Sequence, residues 1–229
     1  MRCDVDDIAS LIRSSAESLP EVKIQHSDFE EVRHNEVTII NEMWECPGLR
    51  KVHLEVAKTK HLDVLHCVFF PDPRYNLPIF GADIIATPSV MTAAIVDVSP
   101  ITGGEYVYEK IKPISEIFKF KEPRPLPEWA DIFSPYMKFQ RIREDIERVH
   151  FYQVVMEYLI IYCDAVKSAK KSGSMEEAYV RYQDQCRYST QQRKNPKTIA
   201  VLSNWFDRDW ADNYINDILF CKPKPMLTL

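Results

Sequence analysis

The chain has 229 residues, a formal net charge of −5 at pH 7, 45% hydrophobic residues and 28% charged residues. These proportions are ordinary for a soluble globular protein, and the length fits a single domain over residues 1–229. The acidic balance gives no general attraction to nucleic acid or an anionic membrane, and no apolar run approaches the ~18 residues of a membrane span, so we expect neither partner.

The first half of the chain is dominated by the alternating pattern typical of strands. The predicted elements are a helix over residues 4–18 capped by Asp4, a hairpin over Phe29–Trp44, three strands between Arg50 and Asp83, and a strand over Met91–Val98. Short connections between these strands favour an antiparallel sheet. Because residues 64–70 and 79–85 are apolar at both alternating positions, we expect both faces of the sheet to be covered.

The second half of the chain is predicted to be mainly helical. A proline-rich segment over residues 113–135 is predicted to cross from the sheet to the helices. Helices are then predicted over 143–171, over 175–194, from Asn195 as N-cap with Pro196 at the first helical position, and over Asp209–Phe220. The first of these helices rests on residues spaced three or four positions apart: Ile146, Val149, Gln153, Met156, Ile160 and Cys163. The predicted fold class is α/β, a three-layer α/β/α sandwich with a central, mainly antiparallel sheet. One helical layer would come from the N-terminal helix and the others from the C-terminal half.

Glycine and cysteine usage narrows the class of protein further. The sequence has 5 glycines and contains neither GxGxxG nor GxxxxGK[ST], which argues against a glycine-built phosphate site. Its 6 cysteines are scattered without a CxxC pair, which fits reduced thiols better than disulfides or zinc. Because the N-terminus also lacks the basic start and apolar core of a signal peptide, we expect a cytoplasmic protein.

Ionisable side chains interrupt the three strands between Arg50 and Asp83. Strand side chains alternate between faces, so neighbouring strands would bring His53 and Glu55, then His66, then Asp83 to one patch. Burying such groups is unfavourable unless they are paired or change protonation, and a carboxyl beside a histidine can hold a proton near neutral pH. We therefore expect a proton-donating site. Solvent-facing charges, or a metal site formed by the histidines, Glu55 and Cys67, are the alternatives.

A second group of candidate residues is basic and lies in the C-terminal half. Its members are Arg124, Arg187, Arg193, Lys194 and Lys197. Most are expected to be solvated surface charges. The exception is the stretch at Asn195, where a helix N-terminus would add partial positive charge and favour a ligand that carries a carboxylate.

Several long motifs in the chain resemble one known family. RKVHLE, LHCVFFPDPRYNLPIFGADI, AAIVDVSP, LPEWADIFS, YSTQQRKNPKT and DWADNYINDILF are similar to the ferredoxin-dependent bilin reductases, in particular their phycocyanobilin:ferredoxin oxidoreductase clade. The resemblance runs from about Asn41 to Phe220. It implies an α/β/α sandwich that binds biliverdin IXα between the sheet and the C-terminal helices. It also implies a monomer with no bound metal, flavin or other cofactor, which takes electrons singly from a reduced, acidic [2Fe-2S] ferredoxin in transient contact.

The resemblance also implies roles for individual residues. Asp83 matches the central proton donor, and His66 is expected to share a proton with it at the pyrrole oxygens. Glu55 matches the acid linked to reduction of the D-ring exovinyl group. His53 matches a second histidine that is coupled to a lysine, here Lys197.

The same resemblance implies anchors for the propionates of the substrate. Arg124, Thr92 and Lys197 match those positions, although the family commonly has Ser where this chain has Thr92. The clade also usually has Asp where this chain has Pro196, and that Asp is associated with later protonation steps.

Two features bear on the product that the resemblance implies. Pro196 and the short N-terminus favour the short viral members of the clade, which make phycoerythrobilin through 15,16-dihydrobiliverdin and would act in a host cytoplasm. Glu55 and His66 keep the phycocyanobilin pattern, so phycocyanobilin is the alternative product. A non-catalytic bilin carrier and a structural interaction domain are the remaining alternatives.

Overall fold

A single twisted sheet forms the middle of the computed structural model, which describes residues 4–225. Within that range the elements in chain order are α1 (Val5–Glu17), β1 (Lys23–Ile24), β2 (Glu31–His34), β3 (Val37–Cys46), β4 (Leu49–Lys58), β5 (Asp63–Pro71), β6 (Ile79–Ala86), β7 (Met91–Ser99), α2 (Tyr108–Ile117), β8 (Glu122–Pro123), β9 (Lys138–Ile142), α3 (Asp145–Ser168), α4 (Met175–Gln192), α5 (Pro196–Trp205) and α6 (Arg208–Tyr214). A short 3₁₀ turn over Glu105–Val107 precedes α2, and a π-helical turn over Ile215–Leu219 follows α6.

The sheet is antiparallel between all neighbouring strands, as the short loops predict. Its order is β1-β3-β4-β5-β6-β7-β9-β8, and β2 pairs with β3 beside β1. In the register of the central strands, Glu55 lies opposite His66, and His66 lies opposite Asp83. Directly opposed residues share a sheet face, so the three ionisable side chains project to the same side.

Helices cover both faces of the sheet, which confirms the three-layer α/β/α prediction. The first face, with Leu54, Leu65 and Ala82, packs against α1, α2 and α3. The second face, with Ala57 and Val68, packs against the helices from α4 onward. The expected division of the layers was wrong in one respect, because α3 from the C-terminal half shares the first layer with α1.

Helix capping follows the sequence signals. The Asp4 carboxylate accepts hydrogen bonds from the backbone N–H groups of Asp6 and Asp7, and the Asp7 side chain accepts one from the Asp4 N–H in return. At α5 the Asn195 side chain accepts from the Lys197 N–H at 3.1 Å, with Pro196 at the first helical position. Both predicted N-termini are therefore confirmed.

The proline-rich crossing over residues 113–135 was only partly predicted. It includes the second half of α2, which carries Pro113 in its interior, and the edge strand β8. The strand β9 comes directly after it. In the β9 sequence KFQRI the buried positions are Gln140 and Ile142, and one of these two residues is polar. The alternation of apolar and polar residues that predicts a strand is therefore weak here.

The buried face of α3 differs from the predicted stripe. Ile146 and Ile160 are 56% and 51% exposed, whereas Phe151, Tyr158 and Tyr162 are fully buried. This helix carries apolar residues on most of its circumference, so spacing alone does not identify the inward side. None of the helices within residues 4–225 has the length and apolar character needed to cross a membrane.

Candidate active site

A cavity of about 670 Å³ lies between the second face of the sheet and the C-terminal helices. The sequence-predicted residues that line it are Glu55, His66, Asp83, Thr92, Arg124, Asn195 and Lys197. Strands β4 to β7 supply the first four of these residues, and the loop before β9 and the start of α5 supply the others. The structure thus brings together side chains that lie more than a hundred positions apart in the sequence.

His66 and Asp83 form a short hydrogen-bonded pair in the cavity wall. The distance from His66 Nδ1 to Asp83 Oδ1 is 2.5 Å, and the side chains are 6% and 40% exposed, respectively. Burial lowers the pKa of His66, but the charge and hydrogen bond of Asp83, with the charge of Glu55, outweigh it and raise the pKa above its usual value. The pair can therefore hold a proton at neutral pH where Asp83 reaches the cavity.

Glu55 is the second carboxyl of the cavity and lies in a different environment. It is 3% exposed, and its Oε2 lies 2.7 Å from the hydroxyl of Tyr214. Burial raises the pKa of Glu55, while the charge of His66 and the Tyr214 hydrogen bond oppose this increase. Glu55 is therefore suited to remain a protonated acid at pH values where exposed glutamates are ionised.

His53 does not line the cavity but lies in the protein interior beside His66. The centroids of the two imidazole rings are 5.7 Å apart, and His53 is fully buried. Its Nε2 lies 2.8 Å from Asn41 Oδ1, and its Nδ1 has no hydrogen-bond partner within residues 4–225. Burial, with the charge of Lys51, holds the pKa of His53 well below its usual value. The hydrogen bond of the ring is thus to Asn41, and the expected coupling to Lys197 stays a prediction.

Cationic groups form another part of the cavity lining. The Arg124 guanidinium donates to the backbone oxygen of Thr92 at 2.6 Å and lies 5.0 Å above the centroid of the Phe139 ring. The Thr92 hydroxyl donates to the backbone oxygen of Ile85 at 3.1 Å. Lys197 is exposed at the N-terminus of α5. An anionic ligand group would meet side-chain cations and the positive end of a helix dipole there.

Several lining residues were missed at the level of sequence. The aromatic and polar members are Trp129, Phe133, Phe139, Arg141, Gln192, Thr198, Trp205 and Phe220. The cluster of aromatic residues between positions 129 and 139 is a signal for Trp129, Phe133 and Phe139 alone. Leu219 and Phe220 reach the cavity from the π-helical turn, in which the Phe220 N–H bonds to the Ile215 oxygen at 2.9 Å. The predicted last helix therefore does run to Leu219, but its last turn is π-helical rather than α-helical.

The alternative metal site is not assembled in the structure. Cys67 projects into the core on the first face of the sheet, away from His53, Glu55 and His66. Among residues 4–225, no group of three or more His, Cys, Asp or Glu side chains is placed to hold a metal ion.

Comparison with known proteins agrees with the resemblance in the motifs. The family model described as ferredoxin-dependent bilin reductase matches residues 9–221. A phycocyanobilin:ferredoxin oxidoreductase of Synechococcus sp. (strain CC9902) is 42% identical, with 96% of this chain and 93% of the relative covered. One from Prochlorococcus marinus (strain MIT 9313) is 39% identical, with 97% and 88% covered.

Two solved structures share the fold. Tomato phytochromobilin synthase, in complex with biliverdin, superposes with a TM-score of 0.78 at 17% identity, over 92% of this chain and 82% of that one. The structure of a protein named PcyX gives 0.62 at 21% identity, over 95% and 98%. The family match spans nearly the whole chain, the relatives are named as oxidoreductases, and the same fold surrounds a cavity lined with ionisable groups; the chain is an enzyme that belongs to the ferredoxin-dependent bilin reductase family.

Proposed function

We propose that this enzyme reduces biliverdin IXα to a phycobilin inside the cavity, taking four electrons singly from reduced [2Fe-2S] ferredoxin and four protons through its side chains. The observation that carries the proposal is the His66–Asp83 pair, which lies in the wall of a cavity of about 670 Å³ that also holds Arg124 and Lys197. Biliverdin has a flat conjugated body, lactam oxygens and two propionates. Aromatic walls, a proton-bearing pair and cations are the groups that such a molecule requires. The biliverdin bound to tomato phytochromobilin synthase supports the same substrate class.

Asp83 is the proposed central donor, with His66 as the group that shares its proton. Each electron makes the bilin a stronger base, and a proton must follow to a carbon or lactam oxygen. Asp83 is half-buried at the cavity wall, so it can contact the substrate while it stays hydrogen-bonded to the more deeply buried His66. The raised pKa of His66 keeps a proton in the pair at neutral pH, where an isolated aspartate would have lost it.

Glu55 is the proposed second acid, for reduction of the D-ring exovinyl group. Because burial raises its pKa, Glu55 can deliver a proton that an exposed glutamate would not hold. His53 is proposed to have a supporting role, because it does not line the cavity and burial holds its pKa well below the usual value.

The propionates are proposed to bind near the start of α5. Arg124 and Lys197 supply charge, and the N-terminus of α5 at Asn195 supplies partial positive charge. Thr92 can donate a hydrogen bond to a propionate only if its hydroxyl hydrogen leaves the backbone oxygen of Ile85. Side-chain cations orient an anionic group more strongly than neutral donors do.

The proposed product is phycoerythrobilin, formed through 15,16-dihydrobiliverdin. Pro196 lines the cavity where the clade usually has an acid, and among the described lining residues only Glu55 and Asp83 carry carboxyls. The later protonation then has no acid at position 196, which supports a route different from that of the phycocyanobilin enzymes. Phycocyanobilin is the second candidate, and the names of the relatives favour it.

Binding and turnover measurements test the proposal in sequence. Purified protein mixed with biliverdin should shift the pigment absorption, and anaerobic turnover should require reduced ferredoxin and fail with NADPH alone. Chromatography against phycoerythrobilin and phycocyanobilin standards then identifies the product. No spectral shift would refute the substrate, and release of unreduced biliverdin in the complete assay would identify a carrier instead.

A further inference from the structure

A buried hydrogen-bond network connects the acid Glu55 to residues on two other elements. Its members are Asn41 on β3, His53 and Glu55 on β4, and Tyr214 at the end of α6, each at most 3% exposed. The Tyr214 hydroxyl oxygen lies 2.7 Å from both Glu55 Oε2 and Asn41 Oδ1. Asn41 Oδ1 also lies 2.8 Å from His53 Nε2.

The positions of the hydrogens in this network can be assigned because the orientation of the Asn41 side-chain amide is determined. The Asn41 side-chain amide donates to the backbone oxygen of Phe29 at 2.7 Å, so its Nδ2 faces Phe29 and its Oδ1 faces His53 and Tyr214. An amide oxygen only accepts, and both neighbours must therefore donate to it. The His53 hydrogen is then on Nε2, and the single phenol hydrogen of Tyr214 points to Asn41.

The count leaves no phenol hydrogen for the contact between Tyr214 and Glu55. Two oxygens at 2.7 Å need a hydrogen between them, and a phenol has only one. The remaining hydrogen must come from Glu55, as a carboxylic acid that donates to the Tyr214 oxygen. If Glu55 is ionised instead, the phenol hydrogen has to turn toward the carboxylate and leave Asn41.

We propose that Asn41 and Tyr214 are positioning residues for Glu55: Asn41 favours the neutral acid before proton transfer, and Tyr214 stabilises the carboxylate afterwards. Before transfer, Asn41 attracts the phenol hydrogen, so the Tyr214 oxygen is free to accept the acid hydrogen of Glu55. On transfer, the acid hydrogen of Glu55 turns from the Tyr214 oxygen to the bilin that ferredoxin has reduced. The O–H bond of Glu55 then breaks, a bond to hydrogen forms on the bilin, and the phenol hydrogen turns to the new carboxylate. This inference rests on the proposed role of Glu55 as a proton donor.

The two positioning residues act on Glu55 with opposite sign. Other charged groups near Glu55 are His66 on β5, which favours the carboxylate, and Asp83 on β6, which opposes it. Tyr214→Phe removes the donor to the carboxylate, so Glu55 should hold its proton to higher pH. Asn41→Leu removes the competing acceptor, so the phenol hydrogen turns to Glu55 permanently and should release its proton at lower pH.

Infrared spectroscopy of the bilin-free protein tests this prediction without requiring turnover. The acid C=O band of Glu55 is identified by its loss in Glu55→Gln and is titrated with pH. We expect the midpoint to rise by about one pH unit in Tyr214→Phe and to fall by about one in Asn41→Leu, which corresponds to tenfold changes in the proton equilibrium. Tyr158→Phe is the matched control, since this buried tyrosine donates to the Tyr136 oxygen and should leave the midpoint unchanged.

Shifts in the same direction, or no shift in Tyr214→Phe, would overturn the inference. Thermal unfolding and biliverdin absorption check that each variant is folded. If Asn41→Leu does not fold, Tyr214→Phe alone decides, because only a rise in the midpoint agrees with the proposal. An enzyme that titrates as expected but does not reduce biliverdin would refute the proposed function alone. If the enzyme reduces biliverdin but the Glu55 midpoint does not move in the two variants, only the proposed roles of Tyr214 and Asn41 are refuted.

Discussion

Replacing Asp83 by Asn changes the charge of the proposed donor while keeping its size. The substitution leaves His66 buried, with a neutral acceptor at best in place of a carboxylate 2.5 Å away. A charge-assisted hydrogen bond contributes about 1.5–3 kcal/mol and a neutral one about 0.5–1.5 kcal/mol, so the difference is roughly 1 kcal/mol or more. Because the Asp83 side chain is 40% exposed and screened by solvent, we take the lower value, about 1 kcal/mol. The proton affinity of His66 should fall about fivefold.

The loss in turnover should be larger than this equilibrium effect, because the variant also lacks the acid itself. Losing a positioned proton donor lowers rates by about 10²–10⁴-fold, whereas the apolar walls and cations that are proposed to bind the pigment are unchanged. We expect Asp83→Asn to bind biliverdin with its normal spectral shift and to stall at a radical or early intermediate.

Anaerobic absorption and electron paramagnetic resonance during stepwise addition of reduced ferredoxin would detect the stalled species. Asp63→Asn, at the start of β5, is the control with the same chemical change and should turn over normally. Full activity of Asp83→Asn would remove Asp83 from the donor role.

Four further predictions follow from individual contacts. Arg124→Ala should weaken biliverdin binding about tenfold, and less at high salt, because a cation in the cavity lining is lost; an unchanged affinity in absorption titrations at both salt concentrations would contradict this. Pro196→Asp should shift the chromatographed product toward phycocyanobilin. If the product is the same as that of the unmodified enzyme, the residue at position 196 does not determine the product. Tyr162→Phe leaves the buried Pro78 carbonyl without its 2.9 Å hydrogen bond and should lower the free energy of unfolding by about 1–3 kcal/mol in urea, whereas an unchanged midpoint would show that the bond is not needed. The pKa of His66 is raised in the folded state, so its charge stabilises the fold at pH values below the pKa of the unfolded state, and this stabilisation is lost as pH rises through the pKa of the folded state. Asp83→Asn should therefore lower the free energy of unfolding more at pH 6 than at pH 9. Equal effects at the two pH values would argue against the charged pair.

The strand part of the site was predictable because its periodicity is simple. A period of two places side chains on a face once the strands are neighbours, and Glu55, His66 and Asp83 do lie directly opposite one another. Capping at Asp4 and Asn195 was equally local, since an N-cap depends on the two or three residues that follow it.

Features that depend on packing between layers were not predictable. Tyr214 and Asn41 are separated by 173 positions, and no pattern in either segment indicates that their side chains meet. The hydrogen bond between His53 and Asn41 on the adjacent strand was not predicted either, because the register of the two strands is not evident from their sequences. Helix rotation in α3 and the π-helical turn after α6 also depend on which surfaces the sheet offers, and hydrophobic spacing does not contain this information.

The two carboxyls of the cavity differ in the way each can regain a proton. Asp83 is 40% exposed and bonded to His66, so on the proposed function it can be reprotonated from solvent or from the imidazole between successive electrons. Glu55 is buried and its contact at Oε2 is with Tyr214, so water does not return a proton to it readily. A donor of the first kind suits repeated transfers, and one of the second kind suits a single transfer in each catalytic cycle. The pairing of an accessible donor with a buried one therefore offers a physical reason why a reduction that takes four protons can use Asp83 repeatedly and Glu55 for one step only.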